Sequence, residues 1–188
     1  MTLAAGRIAL VVVGTSLGGL TALTALLRAL PAAYRLPVVV VQHRATGSDD
    51  LAAALQRGCA VPIREVEDRD PLLPGRVYLA PADYHVLVDR GRLCLSTEAR
   101  VQHARPSIDV LFESAAVAYG EGVLAVVLTG ASRDGALGAQ VVKARGGALV
   151  VQDPATAESR VMPAAALAAA QADLVLPLAE IAGVLRVA

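Results

Sequence analysis

The sequence predicts a doubly wound α/β fold: a mainly parallel β-sheet with helices on both faces and a β-rich insert in the middle. Three observations point there. Continuous apolar, β-branched runs ("IALVVVG", "LPVVVVQH", "VLAVVLTG" and "ALVVQD") recur along the chain and read as strands buried on both faces. Segments of helical spacing separate strands over most of the length, the pattern of βαβ units. Over residues 61–95 the texture changes to short β-type pieces divided by turn signals.

Taken in order, "IALVVVG" is the first strand and closes at Gly14, and "GGLTALTALLRALP" is a helix stopped by Pro31. "LPVVVVQH" is the second strand, ending at His43. "TGSDDLAAALQRG" is a capped helix that stops at Gly58, with Ser48 or Asp49 near its start. The short β-type pieces are "VPIREVED", "PGRVYLAP", "YHVLVD" and "RLCLST", with residues 89–91 as a hairpin turn. "PSIDVLFESAAVAYG" restores the helical rhythm, with Ser107 as its N-cap. The strand "VLAVVLTG", the helix "RDGALGAQVVKARGG" and the strand "ALVVQD" follow. The chain ends with a helical "PAAALAAAQ", a short "DLVLP" and a last helix, "LAEIAGVLRV".

A chain of 188 residues without repeats, linkers or low-complexity tracts reads as one domain, residues 1–188. Trp is absent and Phe occurs once, so the core must be built from Ala, Val and Leu, which suits close helix-on-sheet packing. With 17 basic and 17 acidic residues and no basic patch, nucleic acid is a poor partner. No apolar run has the length of a membrane span, since the richest, "VMPAAALAAAQADLVLPL", is broken by Pro163, Gln171, Asp173 and Pro177. The apolar run at residues 8–13 is too short for a signal-peptide core. Cys59 and Cys94 form neither a disulfide framework nor a metal spacing. A cytoplasmic chain with reduced thiols is expected.

In an open parallel sheet, ligands bind at the carboxyl ends of strands, near the switch in strand order. Ser16 follows the first strand and His43 the second; "ASRDG", with Ser132 and Asp134, follows "VLAVVLTG". Ser16, His43 and Asp134 are the residue types of a nucleophile, a base and an orienting carboxylate. Each has a plainer reading by itself. A serine in a glycine-rich turn serves as an N-cap or a phosphate cradle, His43 as a surface residue, Asp134 as a helix N-terminal carboxylate. "GTSLGG" departs from the dinucleotide fingerprint, because Ser16 replaces the middle glycine and no acid follows the second strand. It is not a P-loop either, lacking the Gly-Lys-Ser/Thr. The coincidence of all three at strand ends favours catalysis. His85 and His103 lack that placement and read as loop or edge residues. Glycines beside a nucleophilic serine leave room for substrate, and the N–H groups of the following helix start can stabilise an oxyanion. The order Ser, His, Asp differs from the Ser, acid, His of α/β-hydrolases.

These residues resemble the catalytic domain of the chemotaxis protein-glutamate methylesterases, the CheB family. The shared pieces are "GTSLGG", "VVVVQHRATG", "VEDRDPLLPGRVYLAPADYHV", "RPSIDVLFESAA", "VVLTGASRDGALG", "GGALVVQDPATAESRVMPAAA" and "ADLVLPLAEIAGVL", in the family's order and over nearly the whole chain. The resemblance implies hydrolysis of glutamyl γ-methyl esters on chemoreceptor helices with release of methanol, and in many members deamidation of receptor glutamines. It places Ser16 as nucleophile, His43 as base and Asp134 as orienting acid, with no metal and no other cofactor. Backbone N–H groups near Leu17 and Ala131 are the expected oxyanion hole. Leu17 stands where the family often has threonine, Ala131 where methionine is common, and Ser132 and Arg133 where smaller or amide residues are usual. That altered loop motivates an alternative, a binding module of little activity that recognises a signalling partner; a third is a serine hydrolase on another ester or amide. Chemotaxis members usually carry an N-terminal receiver domain. Here the chain starts at Met1 almost directly before the first strand, so a stand-alone domain is expected over a fragment. The expected partner is the chemoreceptor cytoplasmic helices.

Overall fold

The computed structural model describes residues 8–44 and 51–187. Along the chain, β1 (Leu10–Thr15) leads through α1 (Gly19–Arg28) to β2 (Val38–Gln42) and α2 (Leu51–Gln56). Five short strands follow: β3 (Ile63–Glu65), β4 (Asp70–Pro71), β5 (Val77–Leu79), β6 (His85–Asp89) and β7 (Arg92–Ser96). Alternation resumes with α3 (Ile108–Tyr119), β8 (Val123–Val127), α4 (Ala136–Ala144), β9 (Ala148–Gln152), α5 (Val161–Ala169), β10 (Leu174–Leu176) and α6 (Leu178–Val187).

Seven strands form one parallel sheet in the order β10-β9-β8-β1-β2-β5-β3. The chain builds outward from β1 through β2 in one direction, then returns to β1's other side with β8 and builds the opposite way. The switch in strand order therefore falls at β1, and Ser16, His43 and Asp134 follow β1, β2 and β8, the three strands that meet there.

Side chains of one strand alternate between two cores. Val11, Val13, Val38, Val40, Leu124 and Val126 pack with Leu23, Leu26 and Leu27 of α1 and with Ile181 and Leu185 of α6. Leu10, Val12, Val39, Val41, Ala125 and Val127 pack with Ile108, Leu111 and Phe112 of α3, Ala139 and Val142 of α4, and Met162 and Ala166 of α5. Both faces of β1 and β8 are covered, which is why their sequences are uninterrupted apolar runs.

The β-rich middle divides between two sheets. β3 and β5 join the parallel sheet beyond β2, while β6 and β7 form an antiparallel hairpin with β4 added beside β7. Composition could not separate these pieces, because β5 ("VYL") and β6 ("HVLVD") each carry a run of three apolar residues. The expected turn is present, with Gly91 at φ +77°. Ser107 caps α3, its hydroxyl accepting from the Val110 N–H. The expected cap of α2 at Ser48 or Asp49 lies outside the described residues. Among the described residues no helix is long and apolar enough to cross a membrane.

Candidate active site

Three residues, Ser16 to Gly18, join β1 to α1. Gly18 is the N-cap of α1 at φ +79°, a left-handed conformation that favours glycine. A Cβ on Gly19 would lie 1.8 Å from the Gln42 Oε1 atom, so a side chain there would force the Gln42 amide to move. The turn is tied down from two sides. The Thr129 carbonyl accepts from the Ser16 N–H at 3.0 Å and from the Thr15 hydroxyl at 2.8 Å. The Thr129 hydroxyl donates to the Leu17 carbonyl at 2.9 Å. On the other side, Gln42 Nε2 donates to the Ser16 carbonyl at 2.8 Å.

Ser16, Leu17, Gln42, His43 and Glu158 line one pocket of about 490 Å³ over this turn. Leu17, one of the two expected oxyanion donors, belongs to that pocket, whereas Ala131 is exposed on the neighbouring loop and is not among its lining residues. Arg133 is also exposed and lines a different pocket, of about 310 Å³, between α4 and α5.

The Asp134 side chain is fully buried and 2.7 Å from His43, Nε2 to Oδ2. Nε2 carries the proton toward the carboxylate, which leaves Nδ1 as the ring nitrogen able to accept one. Serine proteases use the opposite assignment, Nε2 facing the serine. Asp134 accepts three further hydrogen bonds: from the Ser107 hydroxyl at 2.8 Å, the Ile108 N–H at 2.6 Å and the Asp109 N–H at 3.0 Å. Burial alone would raise its carboxyl, but the bonds from His43, Ile108 and Asp109 outweigh burial and hold it below the ordinary carboxylate range. The acid is thus seated on the N-terminus of α3, where backbone N–H groups and the helix dipole favour an anion.

The plainer reading of Asp134 is a carboxylate at a helix N-terminus; it stands one residue before the N-cap of α4, but the helix N–H groups it accepts from are those of the neighbouring α3. Asp109 does the converse. Its Oδ1 accepts from the N–H groups of Gly135 at 2.9 Å and Gly138 at 2.7 Å, at the start of α4. Burial, reinforced by the Asp134 charge, pushes the Asp109 carboxyl up to about 6 against those bonds and one from Gln102.

His85 is not a site residue but supports one. It is buried on β6, the edge strand of the smaller sheet, with Nδ1 accepting from the Ser107 N–H at 3.2 Å and Nε2 facing the Ala99 carbonyl at 3.1 Å. Nδ1 is the acceptor and Nε2 the donor, so the tautomer is fixed. His103 sits exposed in a tight turn at φ +67° and lines a pocket of about 300 Å³ with His43, Arg44, Arg100 and Arg105. Sequence reasoning missed Gln42, Thr129, His85 and the role of Ser107 toward Asp134. The one available signal was position: Gln42 ends β2 and Thr129 lies two residues past β8, the strands flanking β1, but a polar residue there is ordinary.

The CheB methylesterase family profile matches residues 11–185. A candidate protein-glutamate methylesterase/protein-glutamine glutaminase of Leptospira interrogans serogroup Icterohaemorrhagiae serovar copenhageni is 42% identical over 174 residues, covering 92% of this chain and 90% of that protein. A protein-glutamate methylesterase/protein-glutamine glutaminase of Anaeromyxobacter dehalogenans is 43% identical over 183 residues, 97% of this chain but 54% of that protein. The crystal structure of the Thermotoga maritima CheB methylesterase catalytic domain superposes with a TM-score of 0.90 at 34% identity, covering 95% of this chain and 97% of that one.

Proposed function

The chain belongs to the CheB methylesterase family, and from that premise we propose that it hydrolyses glutamyl γ-methyl esters on chemoreceptor cytoplasmic helices, through Ser16, His43 and Asp134, in the cytoplasm and as a single catalytic domain. The observation that carries the reading is the switch-point pocket holding Ser16 and His43, with the buried Asp134 bonded to the imidazole behind it.

In this reading Ser16 Oγ attacks the ester carbonyl while His43 Nδ1 takes its proton. The Leu17 N–H, at the start of α1, faces the oxyanion. The tetrahedral adduct collapses, His43 returns the proton to the leaving methoxide, and methanol departs from a glutamyl ester of Ser16. Water, deprotonated by His43, then attacks that ester and frees the glutamate. Asp134 keeps Nε2 protonated and stabilises the imidazolium. The same sequence on a glutamine side chain releases ammonia, so deamidation of receptor glutamines is part of the proposal.

A chemoreceptor cytoplasmic fragment, methylated or carrying glutamines at the same positions, provides the test. Methanol and ammonia respectively are expected, at rates far above those on a simple activated ester of similar size. Hydrolysis of the simple ester with neither product from the receptor would point to a serine hydrolase of other substrate. No turnover of any of them would favour the binding module.

A further inference from the structure

Gln42, the last residue of β2, joins the nucleophile turn to the base. Its Nε2 donates two hydrogen bonds, to the Ser16 carbonyl at 2.8 Å and to the His43 carbonyl at 2.9 Å. Two carbonyls can only face the donor end of an amide, so the amide cannot be turned over. Its Oε1 is then left buried, with no hydrogen-bond partner among the described residues. An unpaired buried acceptor is destabilising, and an apolar residue of equal length would avoid it. What the amide does in return is legible in the peptide it holds.

The Ser16–Leu17 peptide is trans, so its N–H points opposite to its carbonyl. That carbonyl is held by Gln42 Nε2 and by the Gly19 N–H at 2.9 Å. The next carbonyl, of Leu17, is held by the Thr129 hydroxyl. The direction of the Leu17 N–H is therefore set by Gln42 together with the Gly19 N–H, and turning that peptide would break both bonds. The same amide and the Thr15 carbonyl, which accepts from the His43 N–H at 3.1 Å, fix the main chain of the base.

We infer that Gln42 is a positioning residue that locks the Ser16–Leu17 peptide with its N–H toward the developing oxyanion and registers His43 against Ser16. The inference rests on the reading of Ser16 as nucleophile. Gln42 thereby takes part in oxyanion stabilisation without touching the substrate. It also gives Gly19 its reason, since any Cβ there would displace the amide.

The test is the rate at which an alkyl fluorophosphonate modifies the full chain, read by intact mass and peptide mapping. In that reaction Ser16 Oγ forms an O–P bond, fluoride leaves, the hydroxyl proton passes to His43, and charge gathers on the phosphonyl oxygen. No receptor is needed. Gln42→Met keeps the side-chain length and removes both donors. It is expected to react roughly 10- to 100-fold more slowly than wild type, less than the roughly 100- to 1,000-fold lost when an oxyanion donor is itself removed, because Gln42 only positions the donor. Its kcat for methanol release should fall in parallel while KM stays near wild type, a split that a general loosening of the fold would not give. Gln42→Leu, uncharged and likewise without donors, gives the same readout if the Met variant does not fold. A folded variant reacting within about twofold of wild type overturns the inference and leaves the nucleophile reading intact. A wild-type protein unreactive at Ser16 overturns both.

Discussion

Ser16 must leave a buried strand and enter a helix within three residues while keeping its hydroxyl open to a substrate, and its neighbours are chosen by space and by hydrogen bonding. Gly18 supplies the left-handed turn and Gly19 makes room for the Gln42 amide. Gly19→Ala would set a methyl 1.8 Å from Gln42 Oε1 and 2.8 Å from the Thr15 hydroxyl, so one of these must move. A loss of activity of roughly tenfold or more is expected, through the oxyanion donor rather than through Ser16 itself. Steady-state kinetics beside thermal melting would show it, and an unchanged kcat would remove the spatial account of that glycine. At His43 the bond from Nε2 to Asp134 makes a definite statement about the neutral ring. Nitrogen-15 NMR at neutral pH should find the Nε2–H tautomer. Finding Nδ1–H instead would reverse which nitrogen serves as the base.

At the scale of elements, α3 and α4 cap each other. Asp134, one residue before the N-cap of α4, accepts from the first N–H groups of α3; Asp109, in the first turn of α3, accepts from those of α4. Asp134, the proposed orienting carboxylate, is therefore held by the mutual placement of two helices. The two carboxyls differ in sign of linkage. Asp134 is lowered, so its contribution to stability is complete above the unfolded-state value near 4 and is lost as pH falls below it. Asp109 is raised to about 6, so between roughly pH 4 and 6 the unfolded chain releases a proton that the folded one retains, and stability falls as pH rises. Asp109→Asn keeps an oxygen for both glycine N–H groups and removes this dependence. Urea unfolding should show the variant gaining on wild type by on the order of 1–3 kcal/mol between pH 4 and 7; a pH-independent difference would contradict the mutual-capping electrostatics. Ser107→Ala removes both the cap of α3 and a bond to Asp134. It should cost roughly 1–3 kcal/mol in the same measurement.

Across the whole molecule, the two cores place the switch point, and the chain's single phenylalanine shows how tightly. Phe112 is fully buried in the α3 face of the sheet, with its Cβ 2.6 Å from where a Gly138 Cβ would stand, so α3 and α4 meet backbone against side chain there. Phe112→Ala is expected to lower stability by about 3–5 kcal/mol, since a site this crowded cannot close over the cavity. Much of this architecture was legible beforehand. Strands covered on both faces leave unbroken apolar runs such as "VVVV", and Ser16, His43 and Asp134 could be found by looking just past those runs. What was not legible depends on contacts between distant segments. His85 seats Ser107 across 22 positions, Thr129 holds Leu17 across 112, and the cross-capping of Asp109 and Asp134 exists only once two helices are packed. No periodicity or turn signal encodes such pairings, nor the choice that sends β5 to one sheet and β6 to another. If this assembly exposes Ser16 to a carbonyl, as proposed, methanol release from a methylated chemoreceptor fragment will depend on that hydroxyl. Wild type is expected to release methanol, and a folded Ser16→Ala to lose roughly a thousandfold or more of that rate, as when a nucleophile is removed from a triad. Release by Ser16→Ala within about tenfold of wild type would contradict the proposal, because the chemistry would then belong to another residue.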